Sequence, residues 1–326
     1  VVTNGSLKSD SGSCSDSDLV SLFSEKYMDI LESKMSKGPR TFGFEYEFIP
    51  SRPLCPDDLA SVRSVLISQL GGIDDGVAVC FDGNIKVDFE PGGQIEYLSP
   101  PLLPDDTMKL MAVIGFIEKA NDLIFRKTGI EYMGCGYIPG RAGAPLCLGT
   151  DRYIKLHKRL SESGGRGHEM MKATAAIHLH AALLGREDIL PVFLTLCRLA
   201  REPEFSMSDI RRAIWEDTDP WRCGLPPCCD DKLDKPEILI RHLVAFAIDA
   251  VVLGESVAFK ECSNRDFDSF LNHLTTIFTD VRFNLKGPTL ELRTPDSRPT
   301  SAFFPLWKAF VGHFRENGFI HNPAGG

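Results

Sequence analysis

The sequence predicts an α+β domain built on an antiparallel sheet with helices packed over it. Three observations carry this. Short alternating segments come in hairpin-like groups: Val77–Phe81, Ile85–Glu90 and Gln94–Leu98 are joined by Asp82-Gly83-Asn84 and Pro91-Gly92-Gly93. Asp-Gly between alternating runs is a strong hairpin signal. Stretches of helical periodicity lie between the strand groups rather than strictly alternating with single strands, which separates α+β from a doubly wound sheet.

The elements follow in order. Residues 1–18 are rich in Ser, Asp and Gly and read as a disordered tail, leaving 19–326 as one catalytic domain. Leu19 to Met35 has apolar residues at helical spacing and stops before Gly38-Pro39. Thr41 to Ile49 alternates as a strand. Pro56-Asp57-Asp58 opens a helix that ends at Gly71-Gly72. After the three short strands, Asp105 to Lys127 is a long amphipathic helix, Glu131 to Tyr137 a strand and 138–149 a Gly/Pro-rich loop. Asp151 to Leu160 is helical, and Met171 to Ala181 reads as a buried strand. Helices are expected at 186–200, 208–215, 236–252 and 266–277. A strand pair follows at Val281–Phe283 and Thr289–Arg293, and Ser301 to Asn317 closes the chain as a helix.

Composition narrows the function classes. The 326 residues are 43% hydrophobic and 25% charged, ordinary globular values. A net charge of −9 argues against nucleic acid as a partner. The longest apolar run, Leu243 to Leu253, is interrupted by Asp249 and too short for a membrane span. Ten scattered cysteines without a Cys-x-x-Cys pair read as reduced thiols of a cytoplasmic protein.

Four segments concentrate acidic residues: Gly43-Phe44-Glu45-Tyr46-Glu47, Glu90-Pro91-Gly92-Gly93-Gln94-Ile95-Glu96-Tyr97, Asp217-Thr218-Asp219-Pro220-Trp221-Arg222 and Leu290-Glu291-Leu292-Arg293. Residues two apart on a strand share a face, so Glu45 pairs with Glu47, Gln94 with Glu96 and Glu291 with Arg293. Carboxylates gathered on one face repel unless cations hold them, and magnesium with a nucleotide is a common reason to build such a surface. Taken singly, each pair also fits a charged sheet edge or a cross-strand ion pair. His178-Leu179-His180 sends two imidazoles to one face of an apolar run, as metal ligands or as core histidines. Arg211, Arg222 and Arg293 are candidate clamps for phosphate or carboxylate.

These segments, with Met170-Met171-Lys172-Ala173-Thr174, Ile214-Trp215-Glu216-Asp217-Thr218-Asp219-Pro220-Trp221-Arg222-Cys223-Gly224 and His273-Leu274-Thr275-Thr276-Ile277-Phe278, resemble glutamate–cysteine ligase of the plant and proteobacterial type. They also resemble the wider group of ATP-dependent carboxylate–amine ligases. The resemblance spans residues 41 to about 310 in the family's order. It implies a glutamine-synthetase-like fold, a curved antiparallel sheet forming an active-site funnel. It implies an enzyme that phosphorylates the γ-carboxylate of L-glutamate with ATP and passes the acyl group to an amine, L-cysteine by default. By the same resemblance, Glu45, Glu47, Glu90, Glu96, Glu291 and His178 are metal ligands for two or three Mg²⁺ ions, with Mn²⁺ as an alternative. Arg293 and Arg222 are catalytic, and Arg211, Arg222, Gln94, Thr174 and Trp215 face substrate or phosphate. The partners implied are small molecules only, with the chain a monomer or homodimer. The chain departs from the pattern at His178-Leu179-His180, where the family usually carries Gln-x-Asn, and at Ala173, where it usually carries Arg. Alternatives are a γ-glutamyl ligase for another amine, a catalytically silent regulator that binds nucleotide or amino acid, and a zinc hydrolase using His178 and His180.

Overall fold

A computed structural model describes residues 15–227, 229, 232–285 and 287–320. Among these residues it contains nine strands and ten α-helices. The sheet is open, antiparallel throughout, and ordered β2-β3-β4-β5-β1-β7-β9-β8, with β6 pairing β1 off this path. The strands are β1 (Phe42–Pro50), β2 (Ile73–Asp74), β3 (Val79–Cys80), β4 (Lys86–Phe89), β5 (Ile95–Leu98), β6 (Tyr132–Met133), β7 (Ile177–Ala182), β8 (Val281–Asn284) and β9 (Thr289–Leu292).

β1 lies at the centre because its alternation suits a strand covered on one side and used on the other. Phe44 and Tyr46 pack on Phe303, and Phe44 also meets Trp307, both from the closing helix α10 (Phe303–Glu316). The opposite face carries Glu45 and Glu47. A single main cluster of buried side chains joins the sheet to α1 (Asp16–Lys34), α2 (Pro56–Leu70), α3 (Thr107–Thr128), α6 (Arg186–Leu199), α8 (Pro236–Asp249) and α10. A smaller cluster ties α4 (Asp151–Ser163), α5 (Gly167–Ala173) and α7 (Asp209–Glu216) together around Leu160, Met171 and Trp215.

Several expected boundaries are corrected. The N-terminal tail expected over 1–18 is already structured at Ser15, which caps α1 in a reciprocal capping box with Asp18; residues 1–14 lie outside the described residues. The strand expected over Met171 to Ala181 begins as helix α5, and β7 starts only at Ile177. An apolar run does not distinguish the two states by periodicity alone. The change occurs at Thr174, whose hydroxyl donates to the Met170 carbonyl and closes the helix end. The strand expected over Glu131 to Tyr137 shrinks to Tyr132–Met133. Beyond it, Gly134 and Gly136 are pressed against Arg298 and Asp296 so closely that a Cβ would lie 2.1 and 2.3 Å from them. The helix expected over 236–252 ends at Asp249, where Ala250 turns extended, and the one expected over 266–277, α9 (Phe267–Leu274), ends earlier too. The β2–β3 pair was not anticipated; Asp75 forms its turn by accepting from the backbone N–H groups of Val77 and Ala78.

Eight cysteines among the described residues are free thiols. No helix among them is long and apolar enough to cross a membrane.

Candidate active site

Sheet register assembles the site. Glu45 on β1 stands opposite His178 on β7, and Glu47 opposite Glu96 on β5. Glu96 also faces Asp88 on β4, His180 faces Glu291 on β9, and Glu291 faces Arg282 on β8. Cross-strand partners share a sheet face, so six adjacent strands project a single row of carboxylates, imidazoles and guanidinium groups opposite the aromatic face of β1.

Two groups in this row have donor atoms close enough to share a cation: Glu45, Glu96 and His178 in one, Glu45, His180 and Glu291 in the other, each with its atoms within 4.8 Å of one another. Glu45 belongs to both. Its Oε2 lies 2.7 Å from His178 Nδ1 and its Oε1 3.7 Å from His180 Nε2. Glu47 is partly committed, since Oε2 accepts from the Ala176 N–H at 2.7 Å while Oε1 lies 3.6 Å from His178 Nε2. Arg282 and Arg293 both donate to Oε2 of Glu291, at 2.8 and 3.0 Å. Its other oxygen, Oε1, is buried without a hydrogen-bond partner, and so is Nε2 of His180.

The carboxyl groups divide electrostatically. Burial alone would lift Glu45, but His180, His178 and Arg293 outweigh it and hold the carboxyl below the usual range. Burial is likewise overcome at Glu291, chiefly by Arg282, leaving its pKa at about 2. On the other side Glu90 is pushed up to about 8 by burial and by Glu47 and Asp88, and Glu96 rises well above its ordinary value by burial and then by Glu45, Glu90, Glu47 and Asp88. The Glu90–Glu96 side thus has more negative charge than its protein surroundings can balance. This excess, the unpartnered His180 and Glu291 atoms, and a donor set dominated by carboxylate oxygens fit divalent cations of the Mg²⁺ or Mn²⁺ kind.

Two cavities meet at this row and share Glu45, Arg152, Thr275 and Arg282. The larger, about 670 Å³, has an apolar wall that includes Phe246, Leu271 and Leu274 and a cationic edge of Lys86, Arg152 and Arg282. The smaller, about 250 Å³, is lined by Glu45, Glu47, Glu90 and Glu96 together with Arg293, Arg211, Trp215, Gln94 and Thr174.

The sequence-predicted residues therefore fall into three sets. Glu45, Glu96, Glu291 and His178 come together in the two ligand groups. Glu47 and Glu90 line the same cavity outside those groups, as do Arg293, Arg211, Gln94, Thr174 and Trp215. Arg222 lines neither cavity. It is fully buried, paired with Asp219 at 2.8 Å and bonded to the Val251 carbonyl, so it braces the loop after α7 rather than presenting a free fork to phosphate. His180 joins the ligands through its register with Glu291. Asp88, Arg282, Arg152 and Tyr153 were not singled out in the sequence. The alternation Lys86-Val87-Asp88-Phe89 and Val281-Arg282-Phe283 could have flagged the first two, whereas nothing in the local pattern marks Arg152 or Tyr153, which reach the cavity from α4.

No protein-family model and no curated protein matches this chain.

Proposed function

We propose that this protein is an ATP- and divalent-cation-dependent ligase that activates the γ-carboxylate of L-glutamate and joins it to an amine. The observation that carries the reading is the pair of ligand groups sharing Glu45 at the junction of a large apolar cavity and a small polar one. The larger volume suits a nucleoside, with Lys86, Arg152 and Arg282 on the path of its phosphates; the smaller suits an amino acid. The motif resemblance to glutamate–cysteine ligases points the same way. It supplies the glutamine-synthetase-like fold, the cytoplasmic setting and L-cysteine as the first acceptor to test.

Glu45, Glu96, His178, His180 and Glu291 would hold the cations. When bound, such cations neutralise charge on the phosphoryl group in transit. The chain's own contribution is positional. Arg293, anchored through Glu291, presents positive charge in the smaller cavity, where the γ-carboxylate of glutamate would lie. Arg282, tied to the same carboxylate, keeps that anchor fixed. α4 and α5 supply apolar wall to the smaller cavity through Leu156, Met170 and Met171.

The test is ADP release from purified protein with Mg²⁺, ATP and L-glutamate, adding one amine at a time and identifying the product by mass spectrometry. A γ-glutamyl amide formed with ADP supports the reading. ATP binding without ADP release for every amine would favour a silent regulator instead.

A further inference from the structure

His178 and His180 lie two residues apart on β7 and so share a sheet face. Each presents Nε2 to a carboxylate oxygen at a distance too long for a hydrogen bond. Nε2 of His178 stands 3.6 Å from Glu47 Oε1, and Nε2 of His180 stands 3.7 Å from Glu45 Oε1. Two donors that share a cation, each bonded at about 2.1 Å, sit about 3–4 Å apart, so both spacings suit a shared ion.

The other ring nitrogens are held from behind. A carboxylate only accepts, so the 2.7 Å contact between His178 Nδ1 and Glu45 Oε2 places the proton on Nδ1 and leaves the lone pair on Nε2. Arg293 Nη1 lies 3.4 Å from the same nitrogen, but its shorter bond, at 3.0 Å, goes to Glu291. A histidine whose far N–H is held by a carboxylate is the usual arrangement of a metal ligand. Nδ1 of His180 lies 3.5 Å from the Thr289 hydroxyl, which can accept its proton. His180 is only 9% exposed, and its Nε2 has no hydrogen-bond partner; nor does Glu291 Oε1, across the β7–β9 pair. On Glu47 the Ala176 N–H engages Oε2, which leaves Oε1 to face His178.

We infer that both imidazoles ligate through Nε2, His178 beside Glu47 and His180 beside Glu45 and Glu291, and that these two nitrogen donors make the centre select first-row transition dications over Mg²⁺. The inference rests on the cation dependence of the ligase reading and narrows which cations serve it. Mg²⁺ takes oxygen ligands and gives up water reluctantly, whereas imidazole favours transition ions. Glu45 serves both positions: Oε1 stands beside His180, and Oε2 orients the His178 ring. The neighbouring carboxylates keep the centre open to Mn²⁺, which accepts oxygen and nitrogen alike, and the preference should grow from Mn²⁺ to Co²⁺.

The experiment reads binding without ATP or glutamate, so its outcome is separate from turnover. Mn²⁺ is titrated into chelator-treated protein and followed by EPR, with Mg²⁺ and Co²⁺ as competitors. The expected result is two Mn²⁺ per chain, bound at least tenfold more tightly than Mg²⁺ and displaced by Co²⁺. Pulsed EPR of the Mn²⁺-loaded wild-type protein should show ¹⁴N coupling that becomes ¹⁵N coupling when the histidines carry ¹⁵N, a result that needs no variant to fold. His178→Gln and His180→Gln, which put an amide oxygen within reach, should each lower the Mn²⁺/Mg²⁺ affinity ratio at least fivefold and remove about half of the nitrogen coupling. Bound Mn²⁺ without nitrogen coupling overturns the inference, and so does an unchanged affinity ratio in folded variants. Absence of Mn²⁺ binding overturns it together with the cation assignment of the ligase reading. Nitrogen-coupled Mn²⁺ in a protein that releases no ADP with any amine supports the inference and removes the ligase reading alone.

Discussion

His180 and Glu291 face each other across the β7–β9 pair, and each keeps one buried atom, Nε2 and Oε1, without a hydrogen-bond partner. Arg282 and Arg293 hold the second oxygen of the same carboxylate. Two positive groups on Oε2 keep Glu291 ionised and leave Oε1 available beside an imidazole. A cation between them would satisfy both atoms, and its charge would also offset the repulsion that accumulates toward Glu96.

The first prediction concerns that pair. His180→Ala should weaken Mn²⁺ binding by at least about tenfold, the scale on which loss of even an outer partner acts on a metal site. Titration calorimetry reads it directly. Unchanged affinity and stoichiometry would mean that His180 is a packing residue.

Glu45 belongs to both ligand groups. Glu45→Gln should therefore abolish ATP-dependent turnover and remove cation binding from both, while circular dichroism and thermal melting show a folded protein. Full activity in this variant would refute the ligand assignment.

The pH dependence of stability follows from Glu90. Its folded-state pKa of about 8 is raised above that of an ordinary glutamate, by burial first and then by Glu47 and Asp88. A group raised in this way contributes its stabilisation below the unfolded-state value and loses it as pH climbs through about 8. Glu96 shifts in the same direction. Glu45 and Glu291, with lowered values, are ionised in both states across this window and do not oppose the trend. In chelator, the melting temperature should fall relative to that of Glu90→Gln between pH 5.5 and 8.5, a comparison that cancels the opposing contributions of His178, His273 and Cys229, whose values are lowered, and Mg²⁺ should reverse the difference. No difference between the two proteins across this window would contradict the charge imbalance described for the site.

Arg222 and Asp219 are a stability pair. Removing one member of a fully buried ion pair costs about 3–5 kcal/mol when the other is left unpaired; Asp219 also keeps Arg159 at 3.2 Å, which holds the loss to about the lower end of that range. Arg222→Ala should lose about that much in denaturant unfolding, and the Arg222→Ala/Asp219→Ala double variant should recover part of it. A fully stable Arg222→Ala protein with impaired turnover would instead return Arg222 to the catalytic set.

Gly92 fixes the turn that carries Gln94. A Cβ there would lie 2.6 Å from the Lys172 Cα and 2.9 Å from its carbonyl oxygen, both backbone atoms that cannot step aside. Gly92→Ala should cost about 1–3 kcal/mol, the range for overpacking, and should raise the KM for glutamate by displacing Gln94. Wild-type stability and KM would show that the turn yields freely.

The central strand was legible because its two faces differ in chemistry: aromatic at Phe44 and Tyr46, acidic at Glu45 and Glu47. The acidic cluster was legible for the same reason, as spacing of two placed each pair on one face. Register was not legible. That His180 lies opposite Glu291, or Asp88 opposite Glu96, depends on how strands distant in sequence align, and no local pattern encodes it. The Met171–Ala181 run was misread because an apolar segment buried on all sides has no period to distinguish helix from strand. Arg222 was misread because an arginine after an Asp-Pro turn looks mobile in sequence; only the packed loop reveals Asp219 and Val251 as its partners.

The most direct test of γ-carboxylate activation follows an oxygen atom. L-Glutamate labelled with ¹⁸O in its γ-carboxylate is incubated with the protein, ATP, Mg²⁺ and hydroxylamine, and the released phosphate is examined by ³¹P NMR. Acyl-phosphate chemistry predicts one ¹⁸O transferred to each phosphate formed along with hydroxamate. Phosphate released without label would show that ATP is cleaved by water and that no γ-glutamyl phosphate forms.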